Sequence, residues 1–215
     1  MTPAVLAALL AVVGGGWGLA ADRIAVRWPT HDDEHPPGRP AGWRTLVAAG
    51  FGAAGLAAVP LRFGGDALAV VAVGTYVVAL VLLLATDLDQ RILPDAVTLP
   101  LVPAALLYTA SGQNPLVGGA LLPAIVVAII VPSLLFLASL PFGAGAFGLG
   151  DVKLLVSVGL LCGPWRTVSG LLFGLLAAGA IMLVLLAARR ITRRSYVPFG
   201  PFLIAGALWG ILVVA

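Results

Sequence analysis

The sequence predicts an all-α, polytopic integral membrane protein of about eight transmembrane helices, some of them short or broken. Three observations carry this expectation. Of the 215 residues, 61% are hydrophobic and 10% charged, with a mean hydropathy of +1.11, whereas a soluble domain carries about 25% charged residues. A water-soluble core of this size leaves much of its surface wet and could not hide so much apolar side chain. Apolar runs also recur near the length a bilayer demands, about 20 residues per helix, with Pro and Gly inside them as membrane helices tolerate.

Read in order, the runs are 3–26, 43–59, 65–86, 96–110, 116–140, 151–161, 166–188 and 200–215. The first ends at a charged patch. It has neither a basic leading region nor a clear cleavage site, so it is expected to be a retained helix rather than a signal peptide. The fourth and sixth are short, and the sixth begins at a carboxylate, Asp151. The whole chain, 1–215, reads as a single membrane domain. Residues 28–42, rich in Pro and charge, form the clearly soluble stretch and are too few to be a domain.

Charge then sets the topology. If alternate connections share one side, that side holds Arg23, Arg27, Arg39, Arg44, Arg91, Lys153, Arg189, Arg190, Arg193 and Arg194, against Arg62 and Arg166 opposite. The positive-inside rule places the basic side in the cytoplasm. The expected location is therefore the cell membrane, multi-pass, with both termini outward and residues 28–42 a cytoplasmic loop. Every acidic residue except Asp66 falls on the cytoplasmic side as well. The net charge of +3 comes from Arg and a single Lys. No basic stripe suited to phosphates is present, so membrane lipid and not nucleic acid is the expected partner.

Several features take a structural reading. Cys162 stands alone in an apolar stretch, which excludes a disulfide or a four-cysteine zinc site within the chain and points to a small buried residue. His31, Asp32, Asp33, Glu34 and His35 offer metal-ligand types without a diagnostic spacing, so a solvated loop and no metal is the expectation. Gly14, Gly15 and Gly16 permit close helix packing. Trp17, Trp28 and Trp43 suit membrane interfaces, and Arg189, Arg190, Arg193 and Arg194 suit anionic headgroups.

Ionisable groups at the edge of membrane depth are costly and usually functional. Two places qualify. In one, a long apolar run leads into Asp87, Asp89, Gln90 and Arg91, and Pro94 with Asp95 breaks and restarts the chain. In the other, Gly148 and Gly150 precede Asp151, and Lys153 follows. Each alone could be an aspartate capping a helix. Together, two carboxylates held a few ångströms apart share a proton, one acting as general base on water and the other as general acid. The glycines would let backbone approach a substrate strand and adopt angles barred to other residues. A helix N-terminus at Asp151 would favour its ionised form.

At these residues the chain resembles the prepilin peptidase family, membrane aspartyl proteases that cleave the leader of type IV pilin-like precursors. That family's first motif is an aspartate followed eight positions later by an acid or amide after a proline. Asp87 with Pro94 and Asp95 fits it, and Leu93, Thr98, Leu99 and Pro100 fit its flanks. The second motif, Gly-x-Gly-Asp-x-Lys, is met by Gly148, Gly150, Asp151 and Lys153, continued by Leu154 and Leu155. A third signature, Pro-Phe-Gly-Pro-Phe, stands at 198–202, with Ala205, Gly206 and Ala207 after it. Order and spacing of all three make the resemblance specific over nearly the whole chain.

The resemblance implies that Asp87 and Asp151 are the catalytic pair. Asp89 competes for the first role, and the spacing to Asp95 favours Asp87. Pro94, Asp95, Gly148, Gly150 and Lys153 become supports. The implied substrate is a single-pass type IV pilin-like precursor, cleaved at the cytoplasmic face without a cofactor. Larger members carry Gly-Ser-Phe-Leu-Asn, then Arg-Leu-Pro, then a zinc loop with two Cys-x-x-Cys pairs, a region associated with N-methylation of the new pilin terminus. Here Gly18 to Asp22 and Arg27, Trp28, Pro29 stand in those places, Asp22 replaces the usual Asn, and the cysteine pairs are missing. S-adenosylmethionine is thus expected only if methyl transfer is retained. Two other readings stand beside it, the first with the same carboxylates. A proton- or cation-coupled transporter would place its acids near the midplane on interrupted helices, often with an inverted repeat. A scaffold descended from a peptidase would need neither acid.

Overall fold

The computed structural model describes residues 2–31, 37–142, 147–190 and 199–214. Among these, seven α-helices and one short 3₁₀ turn account for the regular structure: α1 (Pro3–Ala25), α2 (Trp43–Phe63), α3 (Ala67–Gln90), α4 (Asp95–Ala110), α5 (Leu121–Ser139), α6 (Leu149–Ala187) and α7 (Gly200–Leu212). Five of them, α1, α2, α3, α5 and α6, are long and apolar enough to cross a membrane, and α4 and α7 are shorter apolar helices. The protein is an all-helical, multi-pass membrane protein. Helices satisfy their own backbone polar groups, which is what a bilayer interior requires.

Local chemistry sets the helix limits. Pro3 starts α1 where its missing N–H costs nothing, with Thr2 as N-cap. The Asp66 carboxylate caps α3 by accepting from Ala69 N at 3.0 Å. That helix runs four residues beyond the expected limit of 86 and stops at Arg91, whose φ of 58° is left-handed and whose N–H donates to the Asp87 carbonyl at 2.9 Å. Asp87 and Asp89 therefore sit within its last turn and not in a loop after it. The fifth span begins at Leu121 rather than 116, because residues 115–119 form turns.

The expected sixth and seventh spans are two limbs of α6, joined at Gly163. Its φ of +69° and ψ of −178° leave the helix, a conformation glycine reaches freely. Pro164 follows and has no N–H for the Leu160 carbonyl four residues back. Side chains from the preceding hairpin fill the gap. Thr109 Oγ1 donates to the Leu160 carbonyl and Asn114 Nδ2 to the Leu161 carbonyl, each at 2.8 Å. Asn114 also donates to Thr109 Oγ1, and Arg166 Nε reaches the Leu116 carbonyl. An unpaired buried carbonyl costs about 1–3 kcal/mol, so this polar cluster makes the break tolerable in an apolar setting. The chain then turns back, and the second limb packs along α7 with Gly170 against Gly206.

The core lies around α3, whose buried Val73, Val77, Leu80, Leu83 and Leu84 meet α6 and α7 residues such as Leu154 and Ile204. α1 and α2 pack at backbone contact: a side chain on Gly14 would lie 2.1 Å from the Gly52 carbonyl oxygen. Gly16, by contrast, faces open space. Trp17 does not sit at an interface. Its indole N–H crosses to the Val78 carbonyl of α3 at 2.9 Å, tying α1 to the core. Trp43 is exposed at the start of α2, and Cys162 is a buried free thiol.

The two ends of the bundle differ in charge. One gathers Asp22, Asp87, Asp89, Asp95 and Asp151 with Arg23, Arg39, Arg44 and Lys153. At the other, Arg62 and Arg166 donate to the Leu212 and Val214 carbonyls that end α7.

Candidate active site

Asp87, at the end of α3, is 5% exposed. Its Oδ2 has no hydrogen-bond partner among the described residues. Gly200, the first residue of α7, lies so close that a side chain there would come within 2.6 Å of the Asp87 carboxyl carbon. Only glycine lets α7 start against this carboxylate. Asp151 enters from the third element, in the first turn of α6, and its charge acts on Asp87. The Asp151 carboxylate accepts from Gly148 N at 3.2 Å, which turns it back over the helix start. Phe147 and Phe199, just ahead of the two helix starts, meet with ring centroids 6.2 Å apart. The end of α3 and the starts of α6 and α7 thus converge on the two acids.

Asp89 belongs to a different environment. It is 7% exposed, and its oxygens accept from Arg39 Nε at 2.7 Å and Arg44 at 3.3 Å, with His31 Nε2 at 3.3 Å. Arg39 also donates to Asp22 at 2.7 Å. Asp22, 1% exposed, pairs further with Arg23 and accepts from Thr45 Oγ1 at 2.8 Å. Burial alone would lower Arg39, but its hydrogen bonds to Asp22 and Asp89 outweigh that and hold it above the ordinary arginine value. The network clamps residues 37–42 and His31 onto the ends of α1 and α3.

The other expected site residues divide. Lys153 Nζ donates to Asp95 Oδ1 at 2.6 Å, linking the starts of α4 and α6, with the Asp95 side chain 60% exposed. Pro94 precedes α4 as its N-cap in extended conformation. Gly150 presses on Leu93, where a side chain would meet the Leu93 Cβ at 2.9 Å. The close approach expected toward a substrate is made here within the chain. Gly148 has φ −74° and ψ 147°, angles open to any residue, so the expectation of special backbone angles fails there. His31, expected in a solvated loop, is packed on Asp89 with its side chain 5% exposed. Asp32 to His35, Arg193, Arg194 and Pro198 lie outside the described residues.

Two groups of residues were not singled out from sequence. Gly200 lies inside the Pro-Phe-Gly-Pro-Phe signature, a signal that marks the place but not its contact with Asp87. The Arg39, Arg44 and Thr45 partners of the clamp carry no motif, and Asp22 was marked only as the replacement of the usual Asn, since the four are brought together only by packing.

Comparison with known proteins decides the family. Residues 74–188, which contain both Asp87 and Asp151, match the type IV leader peptidase family. The chain belongs to it. Its curated relatives include proteins named prepilin leader peptidase/N-methyltransferase. That of Aeromonas hydrophila is 36% identical over 136 residues, 61% of this chain and 47% of the relative. That of Burkholderia pseudomallei is 34% identical over 160 residues, 74% of this chain and 50% of the relative. That of Pseudomonas aeruginosa is 33% identical over 129 residues, 58% and 44% of the two chains. The chain spans about half the length of the curated relatives it matches. No solved structure is a significant match.

Proposed function

We propose that this chain is a membrane-embedded aspartic endopeptidase that removes the leader of type IV prepilin-like precursors at the cytoplasmic face. The observation that carries the reading is Asp87: a buried carboxylate with an oxygen that has no hydrogen-bond partner among the described residues, set among three helix termini within reach of the Asp151 charge. A buried polar atom without a partner is costly and calls for a functional account. A water held between the two acids supplies one. One carboxylate takes a proton from that water as it attacks the scissile carbonyl. The other, protonated, donates to the carbonyl oxygen; the first, now carrying the water's proton, then donates it to the leaving amine while the second takes a proton back from the gem-diol. The two acids exchange their proton over the cycle, and no covalent intermediate forms.

The basic end of the bundle suits a cytoplasmic location, since connections rich in Arg stay inside. A precursor enters laterally with its leader in the cytoplasm. It is unwound locally at the scissile bond, because helical hydrogen bonding hides the carbonyl and amide. Asp89 takes no part in the chemistry, its carboxylate being paired with Arg39 and Arg44 and packed against His31. S-adenosylmethionine would enter only through methyl transfer. Among the described residues, the buried acid of the N-terminal region, Asp22, has both oxygens committed to Arg23, Arg39 and Thr45.

The test is cleavage of a purified prepilin by the wild-type chain beside Asp87→Ala and Asp151→Ala. Each substitution is expected to lower kcat by roughly a thousandfold or more. Full cleavage by either variant refutes the pair.

A further inference from the structure

A groove of about 1020 Å³ opens between α2, α3, the second limb of α6 and α7, and among the described residues no charged side chain lines it. Its wall on α2 runs from Trp43 to Ala58, a rise of about 22 Å at 1.5 Å per residue, which is most of a bilayer's hydrocarbon core of about 30 Å. Along that wall Gly50, Ala54 and Ala58 recur at every fourth position. Small residues so spaced let a second helix approach to backbone contact.

The end of the groove identifies what it takes. Leu88 and Phe202 line it. Leu88 follows Asp87 in the chain, and Phe202 lies two residues after Gly200, which presses on the Asp87 carboxyl group. The groove therefore ends at chain neighbours of Asp87 and Gly200, beside the Asp87 oxygen that has no hydrogen-bond partner among the described residues. An acyl chain gains nothing from that continuity. A transmembrane helix seated there would pass its cytoplasmic continuation straight to the two acids.

We propose that this groove docks the apolar transmembrane helix of the precursor, with its small-residue seam on α2 setting the helix position and its upper end delivering the scissile bond to Asp87 and Asp151. The proposal rests on the peptidase reading and adds the surface that holds the substrate. It also separates two tasks, apolar docking along the groove and hydrolysis at its end.

Disulfide trapping in membranes tests it. The full chain carries Asp87→Asn to stop turnover, plus Ala54→Cys or Ala58→Cys in the groove, or Leu46→Cys or Leu122→Cys at lipid-facing positions that are each 72% exposed. The probe is a type IV prepilin with single cysteines along its apolar helix. Cross-links at 54 and 58 are expected to exceed those at 46 and 122 by about tenfold and to recur on the prepilin with helical period. In an otherwise wild-type chain, Ala54→Trp is expected to raise KM for the prepilin about tenfold with kcat little changed. Cleavage by the wild-type chain with even cross-linking at all four positions, or none at 54 and 58, overturns the groove and leaves the peptidase standing. It would mean that lipid alone fills it. Absence of prepilin cleavage by the wild-type chain overturns the peptidase reading and this proposal with it.

Discussion

Asp87 and Asp89 stand two residues apart in the last turn of one helix, both nearly out of contact with solvent, yet their surroundings are opposite. Two residues turn a helix by about 200°, so the side chains leave α3 on different faces. Asp89 meets the Arg39, Arg44 and His31 of the α1–α2 side. Asp87 meets the bare glycine of α7 and the fields of Asp151 and Arg91, and one of its oxygens has no hydrogen-bond partner among the described residues. A carboxylate whose oxygens are taken up by two arginines fastens structure. One with a vacant oxygen beside a second acid can bind water and change its proton. The comparison teaches that partners, and not burial, separate the structural acid from the chemical one.

The largest expected effect breaks the comparison directly. Asp87→Asn is expected to lower kcat by roughly a thousandfold or more while leaving thermal stability intact or raised, since it removes a buried charge one of whose oxygens has no hydrogen-bond partner among the described residues. Asp89→Asn is expected to do the reverse. Removing one member of a buried ion pair costs roughly 3–5 kcal/mol. Here about 2 kcal/mol is expected, because Arg39 and Arg44 are 20% and 32% exposed and water recovers part of the loss. Cleavage per folded molecule should stay within about threefold of wild type. Melting curves in detergent and prepilin cleavage, measured on both variants, check the crossing. If Asp89→Asn abolishes cleavage with stability unchanged, the two roles must be exchanged.

A smaller effect sharpens what surrounds Asp87. In Gly200→Ala the new methyl would lie 2.6–2.8 Å from the carboxyl atoms of Asp87, too close for any real contact, so either α7 or the carboxylate must shift. A displacement of an ångström at reacting groups costs on the order of a hundredfold in rate. The expected result is a fall in kcat of that order with KM for the prepilin little moved, since the methyl touches the acid and not the lateral surfaces. Normal turnover by Gly200→Ala would show that α7 does not close on Asp87 in the working enzyme.

Much of this was legible in the sequence where one segment carries its own signal. Apolar runs and their Arg-rich flanks mark the spans, and Gly163 with Pro164 falls between the sixth and seventh runs, where α6 breaks. The spacing from Asp87 to Asp95 and the Gly-x-Gly-Asp stretch mark both acids. Contacts between distant segments were not legible. Nothing local tells that Arg39 folds back on Asp89, 50 residues away, or that Trp17 bonds to Val78 within the bundle. His31 looked solvated because its neighbours are polar, yet packing buries it. The Pro-Phe-Gly-Pro-Phe signature marked Gly200 without its reason, because the reason is a carboxylate more than a hundred residues earlier in the chain.

The smallest expected effect sets the outer limit of the site. Lys153 follows Asp151 by two residues in α6, so it too leaves the helix about 200° away, and it pairs with Asp95 rather than with either buried acid. The Asp95 side chain is 60% exposed, and an ion pair open to water contributes about 0–1 kcal/mol and weakens with salt. Lys153→Ala is therefore expected to shift stability by about 0.5 kcal/mol at low salt, with the difference fading at high salt, and to change cleavage by no more than about twofold. Denaturation at two ionic strengths, with cleavage assayed on the same samples, measures both. A fall in kcat much larger than this, at unchanged stability, would mean that the lysine charge reaches the reacting acids. The line between the fastening and the chemical face would then have to be redrawn through the first turn of α6.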